Sequence, residues 1–344
     1  MVNVAVVILN WNGRKFLEDF LPSVIQHNPD FSEIIVADNA STDDSIAWLN
    51  KNYPAVRVIR NSSNGGFAKG YNEVLAQVEA DYFILLNSDV EVTKGWITPV
   101  IELMEKDHSI AAAQPKIRAF HAKEYFEYAG AAGGFIDKYG YPFCRGRIFE
   151  TVEQDNGQYD DDAEIFWATG ACMFVRASVW KEMGGLDEDF FAHMEEIDLC
   201  WRMRNRGYKI MYCGKSIVYH VGGGTLGKHS PQKTYLNFRN NLMLLLKNKQ
   251  GPFLFFKIFW RMCLDFIAGM KFLLAGEPAH FWAVQRGHFG FYARVPKTRK
   301  KRLALKKNIK TFATKGIYKK SIVAEYFLRG KKKFSDLGKE NFSD

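Results

Sequence analysis

The chain has 344 residues, 47 Lys/Arg against 38 Asp/Glu, and a formal net charge of +9. Its 47% hydrophobic and 15% aromatic content excludes a disordered or collagen-like chain, and its length allows one large domain or two. The charge is unevenly placed: residues 286–344 hold 18 Lys/Arg and 4 Asp/Glu, a net of +14, which leaves the first 285 residues at −5, so the basic balance does not by itself make the whole chain a nucleic-acid binder.

Met1–Asn10 lacks a basic n-region, so it reads as a buried strand and not as a signal peptide. Within it Val4–Leu9 is a continuous apolar run, the pattern of a parallel strand covered on both faces. Arg14–His27 reads as a helix, Glu33–Ala37 as a second strand, Ser45–Tyr53 as a helix, Val56–Arg60 as a third strand, Ala68–Val78 as a helix, and Tyr82–Leu86 as a fourth strand. This alternation predicts an α/β fold with a doubly wound sheet, whose ligands bind at the carboxyl ends of the strands. Polar loops at 10–13, 38–43 and 61–66 lie there, and the fourth strand ends in Asn87-Ser-Asp89. Trp96–Asp107 is helical. Residues 111–165 are less periodic and read as loops and hairpins. Phe166–Val175 is apolar, Ser178–Met183 a short helix, and Met194–Arg206 a longer one. Tyr208–Cys213 and Ile217–His220 read as two short strands, and Gly222-Gly-Gly224 as a flexible loop. The five cysteines form no CxxC pair, which argues against a disulfide framework or zinc site and for a reducing cytosol.

Residues 231–275 read as helical and apolar. Within them Phe253–Ala275 is interrupted by Lys257, Arg261, Asp265 and Lys271. A spanning helix needs ~20 mostly apolar residues, and each central charge costs about 2.5–3.5 kcal/mol on insertion. Lys257, Arg261 and Asp265 share one face at i, i+4 and i+8, so the segment reads as an amphipathic helix lying on a membrane or on the protein body. The basic residues that follow favour an anionic surface, and they carry no RNP, KH or zinc-finger signature.

Several polar groups could carry chemistry. Asp38 and Asn39 follow the second strand, where a carboxylate can accept from a base or ribose, or simply make a turn. Asn64, Gly65, Gly66 and Asn72 belong to a glycine-bearing stretch that opens a helix, a place suited to phosphate or to a plain tight turn. Asp89 and Glu91 alternate with Val90, so they face one side and suit a hard divalent cation or a solvated strand end. Glu195, Glu196 and Asp198 crowd a helix start. Asp198 has Arg202 at i+4 to pair with, which leaves Glu195 and Glu196 without an evident local partner and makes them candidates for a general base. His220 follows a strand near these acids. Trp167 is either a sugar-stacking platform or a core aromatic, close to Gly170.

In order, Val7-Ile-Leu-Asn-Trp-Asn-Gly13, Val36-Ala-Asp-Asn-Ala-Ser-Thr-Asp43, Asn64-Gly-Gly-Phe-Ala-Lys-Gly-Tyr-Asn72, Leu85-Leu-Asn-Ser-Asp89, Gly170-Ala-Cys-Met-Phe-Val-Arg176, Gly185-Leu-Asp-Glu-Asp-Phe-Phe191, Glu195-Glu-Ile-Asp-Leu-Cys-Trp-Arg202 and Tyr219-His220 resemble the family 2 glycosyltransferases of GT-A fold, and within them the rhamnosyltransferase-like enzymes of bacterial surface polysaccharide assembly. The resemblance covers residues 4–224. It implies inverting transfer of a sugar from a nucleotide-diphosphate sugar to an acceptor hydroxyl on a glycan or lipid-linked saccharide, with Mg2+ or Mn2+ as cofactor. Asp38 would hold the base, and Asn10, Asn12, Asn39, Asn64, Gly65, Gly66, Asn72, Asn87 and Ser88 would border the nucleotide. Asp89 and His220 would bind the metal, Glu196 or Glu195 would be the base, and Trp167 and Gly170 would face the acceptor. Two positions depart from the family: Asn87 stands at the first DxD position, and the base motif reads Glu-Glu where Glu-Asp is usual. They leave a catalytically inactive sugar-nucleotide-binding protein as the alternative.

The expected organisation is a catalytic domain over 1–230, an amphipathic membrane-associating segment over 231–285, and a basic tail over 286–344. It places the protein in the cytoplasm, peripherally attached to the inner face of the membrane.

Overall fold

The computed structural model describes residues 2–222, 230–310 and 313–343; Gly223 and Gly224 of the glycine loop lie outside them. In chain order the first part runs β1 (Val4–Asn10), α1 (Arg14–Gln26), β2 (Ser32–Asp38), α2 (Ser45–Asn52), β3 (Arg57–Arg60), α3 (Gly66–Leu75), β4 (Tyr82–Asn87), β5 (Val90–Val92), α4 (Thr98–Lys106), β6 (Ile110–Ala119) and β7 (Ala122–Phe126). Four short strands follow, β8 (Gly134–Asp137), β9 (Pro142–Cys144), β10 (Arg147–Ile148) and β11 (Thr151–Val152). Then come β12 (Ala163–Ile165), β13 (Cys172–Arg176), α5 (Ala177–Met183), α6 (Glu195–Asn205) and β14 (Lys209–His220). The C-terminal part is α7 (Pro231–Asn248), α8 (Leu254–Leu274), α9 (Pro278–Lys306), β15 (Ile317–Tyr318) and α10 (Ile322–Phe327).

Among the described residues the main sheet is mixed, in the order β12-β14-β6-β13-β4-β1-β2-β3, with β5 added beside β14 and β7 beside β6. The apolar run of β1 sits between β2 and β4, parallel to both, and is buried on each face as its sequence requires. Separate apolar clusters cover the two faces of the sheet. A second sheet, β11-β10-β9-β8-β15, draws its last strand from the C-terminal region.

Two readings of strand content change. The supposedly irregular stretch after residue 111 contains β6, which is buried along most of its length inside the sheet. Its Ala111-Ala-Ala113 run has neither alternation nor strand propensity, so neither signal could report it. The two short strands read at 208–213 and 217–220 are one strand, β14, with an irregularity between Cys213 and Ile217 opposite Pro115 of β6. Proline cannot donate to a ladder and is tolerated at such a break.

The C-terminal helices do not form a separate body. α9 runs through the expected boundary at 285, and α7 packs against it. Residues 313–343 return to the second sheet, where Tyr318, Phe334 and Phe342 cluster with Phe135 and Phe143. Part of the basic tail is therefore structural: Lys297 and Lys301 hold Asp187 and Asp189, and Lys315 holds Glu164.

α8 is amphipathic with an unexpected orientation: its charged stripe faces the protein. Arg261 and Asp265 are buried and paired at 2.8 Å; Arg261 donates to Asn241 Oδ1 (2.9 Å) and lies over the Tyr141 ring, whose hydroxyl donates to Asp265. Phe255, Phe256 and Phe259 on the outer side are 67%, 64% and 63% exposed.

Behind α6 the charges close into a network. Asp198, with no exposed surface, accepts from Arg202 Nε (2.8 Å), Lys247 Nζ (2.8 Å) and Asn248 Nδ2 (2.7 Å). Lys247 also reaches Asp187, and Arg202 donates to the carbonyls of Met183 and Gly185. Removing one partner strands the others as buried charges. Asp198→Ala is expected to destabilise the fold by about 3–5 kcal/mol, read from the urea midpoint, whereas pairing Asp198→Asn with Lys247→Met should recover part of that loss.

Candidate active site

The sheet register sets the site. Asn10 pairs with Asp38, and Leu9 with Asn87, so Asn10, Asp38 and Asn87 stand side by side at the carboxyl ends of β1, β2 and β4. Asn10 is fully buried; its amide donates to Ser45 Oγ (3.0 Å) and Ser41 Oγ (3.2 Å), while its Oδ1 has no partner among the described residues. A Cβ at Gly13 would stand 2.5 Å from that oxygen, so only glycine fits beside it. Buried Asp38 accepts from the Ser41 N–H. Asn12 receives the Thr42 and Asp43 N–H groups and so ties the first loop to the second. Asn39 donates to Asn64 Oδ1 (2.9 Å) and the Gly66 carbonyl (3.1 Å), and accepts from Asn61, which binds the third loop to the other two. Ser88 is half-buried on the far side of Gly13.

The acidic end of β4 meets β14. Pairing of His220 with Val90 brings its Nε2 within 3.1 Å of Asp89 Oδ1 and 3.4 Å of Asn87 Nδ2. On the other side of the ring, Nδ1 lies 3.5 Å from Glu127 Oε1, and both groups are buried. Burial opposes a charge on His220, but Glu127 and Asp89 outweigh it and push the imidazole up to about 10. Burial likewise opposes ionised Asp89, and the His220 hydrogen bond nonetheless holds its carboxyl below the usual range. Glu91 does not join this pair; its carboxylate holds Lys123.

Among the described residues no group of three or more His, Cys, Asp and Glu is arranged to hold a metal ion alone. Asp89 and His220 nonetheless suit a cation shared with a substrate, since such ions keep few protein ligands. The carboxylate behind a ligating imidazole is also the usual means of fixing its orientation.

The third part is the start of α6. Phe191, His193 and Met194 all have positive φ (67°, 69° and 75°), a left-handed backbone that non-glycine residues adopt at a cost of about 1–3 kcal/mol each. Asn240 of α7 holds the loop by donating to the carbonyls of Phe190, Ala192 and His193 at 2.8–3.0 Å, and Arg239 donates to those of Asp189 and Phe190. The Phe191 carbonyl accepts the Phe67 N–H (2.9 Å) at the start of α3. Past the loop, Glu195 is buried and Glu196 half-buried, each with an Oε2 that finds no partner among the described residues. Burial and the neighbouring Glu196 raise the Glu195 carboxyl well above the usual range, and burial pushes Glu196 up to about 7.

Three sequence expectations are corrected. The start of α3 is not a free phosphate cradle, because Asn64 Oδ1 takes the Gly66 N–H and Phe191 takes the Phe67 N–H. Gly65 and Gly66 open this helix, and the close approach at Gly66 (φ 78°) is to the 190–194 loop: a Cβ would stand 2.6 Å from the Phe191 carbonyl oxygen. Asn72 does not border the strand-end loops; its amide is engaged with Leu186 N–H and carbonyl, which docks α3 on the loop before α6. Trp167 is a core aromatic, buried against Gly134 with its N–H on the Phe135 carbonyl, so its face is not open to a sugar. Gly170 packs on the Phe67 ring.

Sequence reading missed Glu127 and Asn240. Glu127 lies in a stretch without pattern. Asn240 had a signal, since Arg239-Asn240-Asn241 interrupts an apolar helix.

The family model for Glycosyl transferase family 2 matches residues 5–184. A Mycobacterium tuberculosis protein, "N-acetylglucosaminyl-diphospho-decaprenol L-rhamnosyltransferase", is 24% identical over 315 residues, covering 87% of this chain and 96% of the relative. The "Rhamnosyltransferase WbbL" of Escherichia coli is 24% identical over 220 residues, 61% of this chain and 80% of that one. Among solved structures, the mannosyltransferase PcManGT from Pyrobaculum calidifontis, in complex with GDP-Man and Mn2+, superposes with a TM-score of 0.53 at 13% identity, covering 89% of this chain and 87% of the other. With strand-end loops, an acid–histidine pair and a carboxylate-bearing helix start on one GT-A sheet, and with more than half its length matched, the chain belongs to glycosyl transferase family 2 and is a glycosyltransferase.

Proposed function

We propose that this enzyme transfers a sugar, with inversion, from a nucleotide-diphosphate sugar to the hydroxyl of a lipid-linked saccharide in bacterial surface polysaccharide synthesis. The observation that carries this reading is the Asp89–His220 pair at the end of β4, 3.1 Å apart and backed by Glu127. The rhamnosyltransferase names of the relatives, one with a diphospho-decaprenol acceptor, support the substrate classes.

In this reading Asp38 and the Asn10, Asn12 and Asn39 loops hold the nucleoside, with the unpartnered Asn10 Oδ1 as an acceptor for it. Asp89 and His220, with Asn87 beside them, would hold Mg2+ or Mn2+, and a bound cation would supply charge neutralisation for the diphosphate leaving group. An imidazole ligand suits Mn2+ at least as well as Mg2+. Glu196 takes the proton of the acceptor hydroxyl as its oxygen bonds to the anomeric carbon and the bond to the diphosphate breaks. Burial and the neighbouring Glu196 raise the Glu195 carboxyl, which disfavours a second negative charge beside that base.

The same proposal puts the enzyme at the cytoplasmic face of the membrane. Residues 1–230 form the catalytic part, and the helices from 231 onward, with the basic residues of α9 continuous with them, form the part that faces the membrane. Among the described residues no helix is long and apolar enough to cross a membrane. The support for surface attachment is α8, whose aromatic stripe points away from the protein while its Arg261 and Asp265 are buried against it.

Three outcomes test the reading. Release of nucleoside diphosphate should rise about tenfold per pH unit below pH 7 and level off above it, as Glu196 loses its proton, and Glu196→Gln should lower turnover about 10²–10⁴-fold above pH 7 and flatten the profile; a flat profile in the wild type would remove Glu196 as the base. Glu127→Gln should weaken Mn2+ binding about 10–100-fold by calorimetry with nucleoside diphosphate present. Replacing Phe255, Phe256 and Phe259 together with Ser should abolish co-sedimentation with anionic vesicles and leave donor binding intact, since each buried phenyl contributes about 1.5–3 kcal/mol.

A further inference from the structure

Between the start of α8 and the last turns of α9 lies a cavity of about 320 Å3. One side is apolar, formed by Leu246, Leu254, Leu303 and the rings of Phe253 and Phe255. The other side carries Arg299, Arg302 and Lys306, and no acidic residue lines it. At i, i+3 and i+7 these three cations form one stripe of α9.

The stripe differs from the rest of the helix. Lys297 and Lys301 are neutralised by Asp187 and Asp189. Among the described residues Arg302 donates to neutral oxygens only, the carbonyls of Leu246 (2.9 Å) and Lys249 (2.6 Å) and the amide of Gln250 (3.2 Å), and burial alone lowers its pKa. A half-buried guanidinium with no carboxylate among the described residues, on one stripe with Arg299 and Lys306, gives the cavity a positive field that a bound anion would satisfy. An anion alone would leave the apolar wall wet, and an apolar ligand alone would leave the cations unmatched. The cavity opens at Phe253 and Phe255, which also belong to the outward aromatic surface of α8, where Phe253 is 74% exposed.

We propose that this cavity binds one anionic phospholipid, its phosphate held by Arg299 and Lys306 above Arg302 and an acyl chain laid against Leu254 and Leu303. The source of the lipid rests on the membrane reading above; the chemistry of the cavity does not. Bound in this way, the lipid fixes the protein on the surface at one point and in one orientation, which a row of aromatic side chains cannot do.

The test uses the full chain and a monomeric lipid, so that it does not depend on vesicle attachment. Dihexanoyl phosphatidylglycerol below its micelle concentration should bind saturably with a stoichiometry of one. Dihexanoyl phosphatidylcholine should bind about tenfold more weakly, and inorganic phosphate at the same concentration should not compete. The Arg299→Ala/Lys306→Ala double variant, both positions exposed, should lose about tenfold in affinity, and Leu303→Trp, which fills the cavity, should block binding with the cations intact. Equal binding of both lipids, or unchanged binding by both variants, overturns the site. Monomer binding without vesicle attachment would instead keep the site and overturn the membrane reading.

Discussion

Asp187 and Asp198 lie out of reach of water among Lys247, Arg202 and Lys301. Burying such ions costs several kcal/mol each, and their mutual attraction offsets that only when every partner is in place. The network therefore specifies position more than it adds stability. Its members come from the loop before α6, from α6 itself, from α7 and from α9, four segments distant in sequence. Asp198 and Arg202 pair within α6, but Lys247 and Asp187 find their partners only when the segments meet, and the arrangement they fix includes the first turn of α6, where Glu195 and Glu196 stand.

The strain in the 190–194 loop follows from that arrangement. Three consecutive or near-consecutive left-handed residues are a poor local solution, and nothing in Phe191, His193 or Met194 favours it. The loop holds because its carbonyls are claimed from outside, by Asn240 and Arg239 on one side and by the start of α3 on the other. The strand-end loops and the start of α6 are thereby mechanically joined. The Gly66 segment that follows the third strand touches the same loop that delivers Glu196, so those loops and that carboxylate cannot shift independently.

These couplings explain which parts of the molecule were legible in the sequence. β1, β2 and β4 were plain because each is an apolar run between polar turns, and the strand-end residues Asn10, Asp38 and Asp89 came with them by the rule for open sheets. Asp198 could be set aside as an ion-pair member from its i+4 arginine. What stayed hidden depends on contacts distant in sequence: β6, whose alanines carry no strand signal; Glu127, which matters only because β7 delivers it behind His220; and Asn72, whose placement in a glycine-rich stretch suggested a ligand while its partner is a loop more than a hundred residues away. Trp167 shows the ambiguity of an aromatic, since a ring suited to a sugar is equally suited to a core, and only its burial against Gly134 separates the two.

The periodicity of α8 marks an amphipathic helix without saying which face meets the protein. A stripe of charges at i, i+4 and i+8 ordinarily marks the wet side of a helix. Here Tyr141 donates to Asp265, Asn241 accepts from Arg261, and the two ions pair with each other inside the protein, so the charged face is the one that docks. The aromatic face is then outside by elimination. A globular protein normally has no reason to leave so many phenyl rings together in water, and the cations with no carboxylate to meet lie along the neighbouring helix. The charge of the C-terminal region thus divides by geometry into one set that closes the fold on Asp187 and Asp189 and another that faces the same side as the rings. An apolar surface edged by positive charge complements an anionic lipid leaflet, and this complementarity, which neither net charge nor hydrophobicity would suggest alone, supports the surface attachment proposed for the last third of the chain.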